Sequence, residues 1–261
     1  GGRGRGPPPA MTFIVKPSGG CQGHGIYLTN DLSAIHAAPG SQWVVQQYVP
    51  HPLLLGGKKF DLRVYALVSS LAPLQVHIFK DGLARLATVN YTGVTADSMD
   101  NVFMHLTNYS LNKDSEDFVP CTEDGQEADS SKRSIQWILD WLKGQGGDPE
   151  ALWGKVQQLV VKTVLVMEPS IRSNLHQLEG ADSGACFQIL GFDILIDRDL
   201  EPWFLEVNAG PSLDADSLLD TRIKHRLVAA TLRLGASGLR DRALWPPGAV
   251  GQKYTHHYTL A

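Results

Sequence analysis

Hydrophobic and polar residues alternate along several short stretches of the chain, which is the pattern of strands. In the clearest stretch one face is apolar and the other mostly charged: Phe60, Leu62, Val64 and Ala66 against Lys59, Asp61, Arg63 and Tyr65. The patterns predict strands over 11–16, 25–29, 43–49, 59–68, 74–80, 83–89, 187–196 and 202–207. Asp81-Gly82 is typical of a two-residue turn, so 74–80 and 83–89 are predicted to form a hairpin.

Helix start and stop signals separate these strands. The predicted helices are a short one from Asn30 or Asp31, one from Ser130 or Ser131 to Lys143, one from Asp148-Pro149 to about Met167, and one over 216–234. Strands and hairpins interleaved with helices predict an α+β fold with antiparallel sheets and packed helices.

The composition narrows the class of protein. The chain has 261 residues, is 43% hydrophobic and carries a net charge of −4, so we expect one or two folded domains that bind no nucleic acid. It contains no apolar run long enough to cross a bilayer, and we expect no membrane association. Three scattered cysteines do not form a disulfide framework, which favours a reducing, cytoplasmic setting.

Three polar residues on the last two predicted strands indicate a metal site. Glu206 and Asn208 are two residues apart and therefore project from the same side of a strand. Asp193 lies within an otherwise apolar strand, where a carboxylate is costly to bury without a partner. Two carboxylates and an amide oxygen suit Mg²⁺ that also holds phosphate. Taken singly, each of these residues also fits an ordinary strand end or protein surface.

A lysine and a glycine-dense loop indicate a phosphate site nearer the start. Lys16 ends a predicted strand and is followed by the loop 19–25, although an ordinary turn between strands would have the same composition. The loop matches neither the Walker A motif nor the dinucleotide fingerprint. On the charged strand face, Arg63 is suited to fork two phosphate oxygens, and Asp61 could accept from ribose hydroxyls.

Eight segments taken together closely resemble the tubulin tyrosine ligase-like family, which has the ATP-grasp fold. They occur in the family's order between about residues 12 and 235. They are Ile14–Pro17 (IVKP), Gly20–Gly25 (GCQGHG), Gln46–Val49 (QQYV), Lys59–Arg63 (KFDLR), Asp81–Arg85 (DGLAR), His105–Ser110 (HLTNYS), Gly191–Asp193 (GFD) and Leu205–Asn208 (LEVN). Within the family, the chain is most similar to the tubulin polyglutamylases.

The resemblance implies a role for each matching residue. ATP would be held by Lys16, Gln22, Gly23, Gln46, Gln47, Tyr48, Val49, Lys59, Asp61, Thr107 and Asn108. Two Mg²⁺ ions would be held by Asp193, Glu206 and Asn208. Arg63 and Lys16 would act as catalytic residues by stabilising the transferred phosphate. The amino-acid substrate would be bound by Arg85, Tyr109, Ser110, Lys132 and Lys224.

The resemblance also implies a reaction. ATP would phosphorylate a side-chain carboxylate on a tubulin C-terminal tail, and the amino group of free glutamate would attack the acylphosphate to form an isopeptide bond. Two alternatives stay open: a glycine or tyrosine ligase of the same fold, and a non-catalytic, microtubule-associated fragment. We expect a monomer on the cytoplasmic cytoskeleton, with the cilium or basal body as a finer expectation.

The family's N-terminal lobe should precede Lys16, where this sequence has a glycine- and proline-rich segment. We therefore expect an ATP-grasp fold without that lobe. The predicted organisation is a low-complexity tail at 1–11, a partial central lobe at 12–50, a C-terminal lobe at 51–240 and a tail at 241–261.

Overall fold

The structure is a computed structural model that describes residues 11–19, 23–35, 41–122, 126–176 and 186–235. Gln22 and, apart from Met11, the two predicted tails lie outside these residues. The strands are β1 (Phe13–Pro17), β2 (Tyr27–Thr29), β3 (Trp43–Gln47), β4 (Leu54–Leu55), β5 (Lys58–Leu71), β6 (Leu74–Asn90), β7 (Lys132–Ser134), β8 (Gln188–Ile196) and β9 (Pro202–Asn208). The helices are α1 (Val102–His105), α2 (Tyr109–Asn112), α3 (Ile135–Gly144), α4 (Pro149–His176) and α5 (Leu218–Gly235). This mixture of antiparallel sheets and helices confirms the predicted α+β class.

Contacts divide the chain into two units, and strands β5 and β6 run through both. The first unit contains the described residues up to Phe60 together with 86–118. It holds a three-stranded antiparallel sheet in the order β2-β1-β3, with Val15 fully buried in the central strand. Asp31 caps a single 3₁₀ turn that follows this sheet's second strand, as its side chain accepts from the backbone N of Ser33 at 2.9 Å. The predicted lobe boundary at residue 50 stays a prediction.

The second unit contains Asp61–Arg85 and the described residues from Val119 onward. Its antiparallel sheet has the strand order β7-β6-β5-β8-β9. Helix α5 covers one face through an apolar cluster in which Leu219, Ile223 and Leu227 pack with Tyr65 and Leu83. Helix α4 packs against β9 and α3. None of the helices in the described segments has the length and apolar character that crossing a membrane requires.

The predicted hairpin at Asp81-Gly82 is wrong, because β6 continues through both residues as one strand. A Cβ on Gly82 would lie 2.4 Å from the backbone O of Arg63 and 2.8 Å from Ile135 Cδ1. The glycine is therefore needed for close packing and not for a turn. Asp81 Oδ1 accepts from the backbone N of Gly82 at 2.9 Å, so the Asp81 side chain provides a hydrogen-bond acceptor for the backbone of its own strand.

Two helix predictions also need correction. Ser130 and Ser131 do not begin a helix: the strand β7 follows them, and Ser134 caps α3 by accepting from the backbone N of Trp137 at 3.1 Å. Helix α4 begins at Pro149 as predicted but continues past Met167 to His176, through Pro169. Arg172 stabilises this extension, because its Nη2 donates to the backbone O of Leu71 at 2.6 Å.

Gly82→Ala is expected to lower the free energy of unfolding by about 1–3 kcal/mol, because the added methyl overlaps backbone that cannot move aside. The matched control is Gly154→Ala on α4, where a Cβ meets nothing within 4 Å. That substitution should raise stability by about 0.5–1 kcal/mol through helix propensity. Chemical denaturation measures both, and equal effects at the two glycines would contradict the close approach.

Candidate active site

Three strands of the second unit align polar side chains in one row. In the register of β5, β8 and β9, Arg63 is opposite Asp193, and Asp193 is opposite Glu206. Partners in antiparallel strands project to the same side of the sheet. Asn208 belongs to the next row, opposite Gly191. The register shifts directly after Asp193, and Leu205 is the extra residue of the resulting β-bulge.

Two arginines and two aspartates form a buried ion-pair network on this face. Arg63 Nε lies 2.5 Å from Asp193 Oδ1, and its Nη2 lies 3.0 Å from Oδ2. Arg85 Nη2 lies 2.8 Å from the same Oδ2. Arg85 also binds Asp61 with two hydrogen bonds, one of them from Nε to Oδ1 at 2.9 Å. Asp61 is 2% and Asp193 3% exposed, so solvent screens these charges weakly.

The pairing gives Asp193 an unusual acidity. Burial opposes its ionisation, but the nearby charges of Arg85 and Arg63 outweigh burial and lower the pKa of Asp193 from 3.8 to about 2. The carboxylate therefore stays anionic throughout the physiological range. In this structure the guanidinium group of Arg63 binds Asp193. From the sequence, phosphate was the expected partner of Arg63.

The acidity of Asp193 predicts a pH dependence of stability. A folded-state pKa below the unfolded value stabilises the fold above about pH 4, and this contribution is lost as the pH falls through about 2. The difference in unfolding free energy between the unmodified chain and Asp193→Asn should shrink by roughly 2 kcal/mol from pH 5 to pH 2. Urea titrations at both pH values measure it, and a difference that does not change with pH would contradict the assignment.

Glu206 and Asn208 lie beside this network with their side chains together. Asn208 Nδ2 is 3.4 Å from Glu206 Oε1 and 3.5 Å from the backbone O of Gly191, which confirms that both project from the same face. Two carboxylates and an amide on neighbouring strands are an oxygen donor set that fits Mg²⁺. Within the described residues no group of three or more His, Cys, Asp or Glu could hold a metal, so this set depends on the amide of Asn208.

The two lysines predicted to bind the amino acid meet at Asp220 on α5. Lys132 Nζ lies 2.7 Å from Asp220 Oδ2, and Lys224 Nζ lies 2.9 Å from Oδ1. Burial lowers the pKa of Lys132, and the charge of Asp220 opposes that effect. Lys132 is also opposite Arg85 in the register of β7 and β6, so it shares the face of the ion-pair network. We call Lys132, Arg85, Arg63, Asp61, Asp193, Glu206 and Asn208 the charged face.

In the first unit, predicted nucleotide residues form polar contacts with one another and with His105. Lys16 at the end of β1 donates from Nζ to Gln46 Oε1 on β3 at 3.1 Å. Lys59 Nζ donates to Tyr48 Oη at 3.0 Å and to the backbone O of His105 at 2.8 Å. Burial raises the pKa of Tyr48, so its hydroxyl stays protonated. Tyr48 Oη is 2.9 Å from His105 Nδ1 and can donate to it.

The glycine loop packs against the segment that contains Asn108. Gly23 has φ +85°, and a Cβ there would lie 2.6 Å from Leu111 Cδ1 and 3.2 Å from Asn108 Cγ. A side chain at position 23 would therefore be both strained and obstructed. The other predicted residues of this unit are an exposed Gln47, a half-buried Val49, a buried Thr107, and Tyr109 and Ser110 at the start of α2.

Sequence reasoning missed two residues of these networks, Asp220 and His105. Asp220 precedes Lys224 by four positions on a helix, a spacing that indicates an ion pair, but nothing in the sequence connects it to Lys132. His105 begins the segment His105–Ser110, yet nothing local in the sequence predicts that its buried ring contacts Tyr48 from 57 positions away. Fixed cations beside buried carboxylates can stabilise negative charge that develops on a phosphoryl or carboxyl group.

Comparisons with known proteins agree with these observations. The sequence profile of the tubulin-tyrosine ligase family matches residues 5–242. The chain is 43% identical over 233 residues to tubulin polyglutamylase TTLL6 of Mus musculus, which covers 88% of this chain and 28% of that protein. It is 42% identical over 229 residues to tubulin polyglutamylase TTLL13 of Homo sapiens, covering 86% of this chain and 27% of the relative. A probable beta-tubulin polyglutamylase of Tetrahymena thermophila is 39% identical over 225 residues. The match covers 85% of this chain and 19% of that protein.

The chain thus spans from about a fifth to just over a quarter of the length of these curated relatives, and the match covers both units. The segments that carried the resemblance all fall within the matched residues. The chain belongs to the tubulin-tyrosine ligase family.

Proposed function

We propose that this chain is the catalytic region of an ATP- and Mg²⁺-dependent tubulin polyglutamylase with the ATP-grasp fold. The observation that carries the proposal is the charged face, on which cations and oxygen ligands occur together on adjacent strands. The polyglutamylase names of relatives at about 40% identity support glutamate as the amino acid and tubulin as the acceptor. Tubulin as substrate supports a place on the cytoskeleton, with the cilium or basal body as a finer proposal.

The reaction joins a free glutamate to a glutamate side chain on a tubulin C-terminal tail. The γ-phosphoryl group of ATP goes to the acceptor carboxylate, and ADP leaves. The amino group of free glutamate then attacks the acyl carbon, phosphate leaves, and the nitrogen gives up a proton. The product is an isopeptide bond, and no side chain of the protein becomes covalently modified.

The residues of the chain would act by binding and by charge. Asp193, Glu206 and Asn208 would hold Mg²⁺, which when bound supplies positive charge against the phosphate oxygens. Arg63 would stabilise charge on the transferred phosphoryl group while Asp193 keeps its side chain oriented. Arg85 is buried and pairs with Asp61 and Asp193. We assign its positive charge to the negative groups of the amino-acid substrate.

The first unit would bind the nucleotide. Lys16 would supply a point charge for phosphate oxygens, with Gln46 orienting it. The loop at Gly23 and the segment at Asn108 pack together, so we assign both to the phosphate and ribose end of ATP. Strand β3 and the residues that follow it, Gln46 to Val49, would pair with the purine edge, and Lys59 and Thr107 would complete the nucleotide contacts of this unit.

The test is mass spectrometry of microtubules after incubation with this chain and Mg·ATP, with glutamate, glycine or tyrosine in separate reactions. We expect increments of the glutamate residue mass on tubulin tails in the glutamate reaction alone, and none when ATP is omitted. Glycine or tyrosine increments would contradict the choice of amino acid and leave the ligase chemistry standing. No increment in any reaction would contradict catalysis by this chain and favour a non-catalytic, microtubule-associated role.

A further inference from the structure

One carboxylate in the second unit, that of Asp220, is fully buried between two ammonium groups. Asp220 is 0% exposed, and each of its two oxygens contacts one lysine. Oδ2 is 2.7 Å from Lys132 Nζ, and Oδ1 is 2.9 Å from Lys224 Nζ. The lysines themselves are almost as buried, at 7% and 6% exposed. A single carboxylate therefore contacts both cations, and Lys224 Nζ also donates to the backbone O of Asp214.

The two lysines come from different parts of the chain. Lys132 is on β7 and Lys224 is one turn along α5 from Asp220. Because Lys132 is opposite Arg85 in the sheet, the pair of lysines adjoins the charged face. The cluster is therefore in the same unit as Arg63, Asp193 and Glu206, on the side of the sheet where their side chains project.

A structural role explains only part of this arrangement. Ser217, directly before α5, accepts from the backbone N of Asp220 at 3.1 Å and donates from its hydroxyl to Asp220 Oδ2 at 2.7 Å. This reciprocal pair caps the helix start. Capping requires neither Lys132 nor the contact between Lys224 and the second carboxylate oxygen, so the lysine contacts need a different explanation.

Resting on the proposed function and deepening it, we infer that Asp220 is the positioning residue of the amino-acid site and holds Lys132 and Lys224 so that they receive a carboxylate of the incoming glutamate. Like charges repel at short range in a buried site, and a lysine side chain has several rotamers to move into. The shared carboxylate opposes both effects. It keeps the two ammonium groups close together, charged and oriented before the substrate arrives.

The variant Asp220→Asn preserves the size of the side chain and removes its charge. The amide has no charge and offers one oxygen instead of one beside each lysine, so the ammonium groups should separate and bind a substrate carboxylate less well. We expect the Kd for L-glutamate, measured by calorimetry in the presence of a non-hydrolysable ATP analogue, to rise about tenfold or more. The Kd for Mg·ATP should not change, because the side chains that Asp220 contacts are Lys132, Lys224 and Ser217, and none of them is assigned to ATP or Mg²⁺.

Two further variants separate positioning from folding. Ser217→Ala removes the cap and leaves the lysine contacts, so it should lower the melting temperature without changing the Kd for glutamate. In Asp220→Asn combined with Lys132→Met, the affinity loss should be smaller than the sum of the two single losses, because part of the effect of Asp220 passes through Lys132.

Three outcomes would overturn the inference. They are an unchanged glutamate Kd in Asp220→Asn, an equal loss of glutamate affinity in Ser217→Ala, and additive losses in the double variant. An unmodified chain that binds Mg·ATP but not glutamate would instead contradict the proposed function itself. The two failures are thus distinguishable in the same set of titrations.

Discussion

Arg85→Met is expected to lower the free energy of unfolding by about 3–5 kcal/mol, the cost of leaving a buried charge without its partner. Arg85 is 9% exposed and is the cation that bridges Asp61 and Asp193. Asp193 would keep Arg63, whereas Asp61 would lose its paired cation in a site that is 2% exposed. Methionine nearly fills the space of the arginine stem, so the loss measures charge and not a cavity. Urea denaturation of both proteins gives the difference.

A double variant identifies the cause of that loss. Adding Asp61→Leu to Arg85→Met removes the stranded carboxylate, and replacing both members of a buried ion pair by apolar groups is often close to neutral. We expect the double variant to be more stable than Arg85→Met alone. Arg226→Ala is the control, because this cation is exposed and its contact with Asp81 is long, at 3.6 Å. Its loss should therefore cost less than about 1 kcal/mol of unfolding free energy. A single variant as stable as this control would contradict the network.

On the proposed function, Glu206→Gln is expected to lower the rate of glutamate incorporation by more than about a hundredfold, because it replaces the carboxylate that we propose as a Mg²⁺ ligand by a neutral amide of the same shape. Glu206 is exposed at the edge of the sheet, and stability should stay within about 0.5 kcal/mol. Mass spectrometry of tubulin tails at saturating Mg·ATP measures the rate, and thermal denaturation measures the stability.

Glu201→Gln is the matched control for this prediction. Glu201 directly precedes the same strand and pairs with Lys155 on α4 through an exposed contact. Its substitution should leave the rate of incorporation unchanged. If Glu206→Gln kept the activity of the unmodified chain, Glu206 would not be a metal ligand and the metal site would have to be reassigned.

Local sequence patterns predicted most of the strands and helices, and they failed where long-range packing determines the local structure. Alternation located β5, apolar runs located β8 and β9, and Asp148 was confirmed as the cap of α4, where it accepts from the backbone N of Ala151 at 3.0 Å. Asp81-Gly82 was misread because the same dipeptide suits a hairpin turn and a close contact between strands. Only the neighbouring backbone of Arg63 distinguishes the two.

The same limit applies to the candidate site. The sequence placed Glu206 and Asn208 on one side of a strand, since that follows from the two-residue period alone. It could not give Arg63 its partner, because Asp193 is 130 positions away and becomes adjacent only through the register of β5 and β8. It also could not show that the charged strand face is covered, since α5 packs on Tyr65 from the far end of the chain.

By itself, the sequence determined the class of fold, the family and the kinds of side chain available for chemistry, because periodicity and motif order are properties of local residues. The tertiary structure decided which charges meet. Arg63 and Arg85 share Asp193, and Lys132 pairs with Asp220 from 88 positions away, so these contacts join segments far apart in the chain. Such pairings depend on strand register and helix packing, where a shift of one residue would turn a side chain to the opposite face of the sheet.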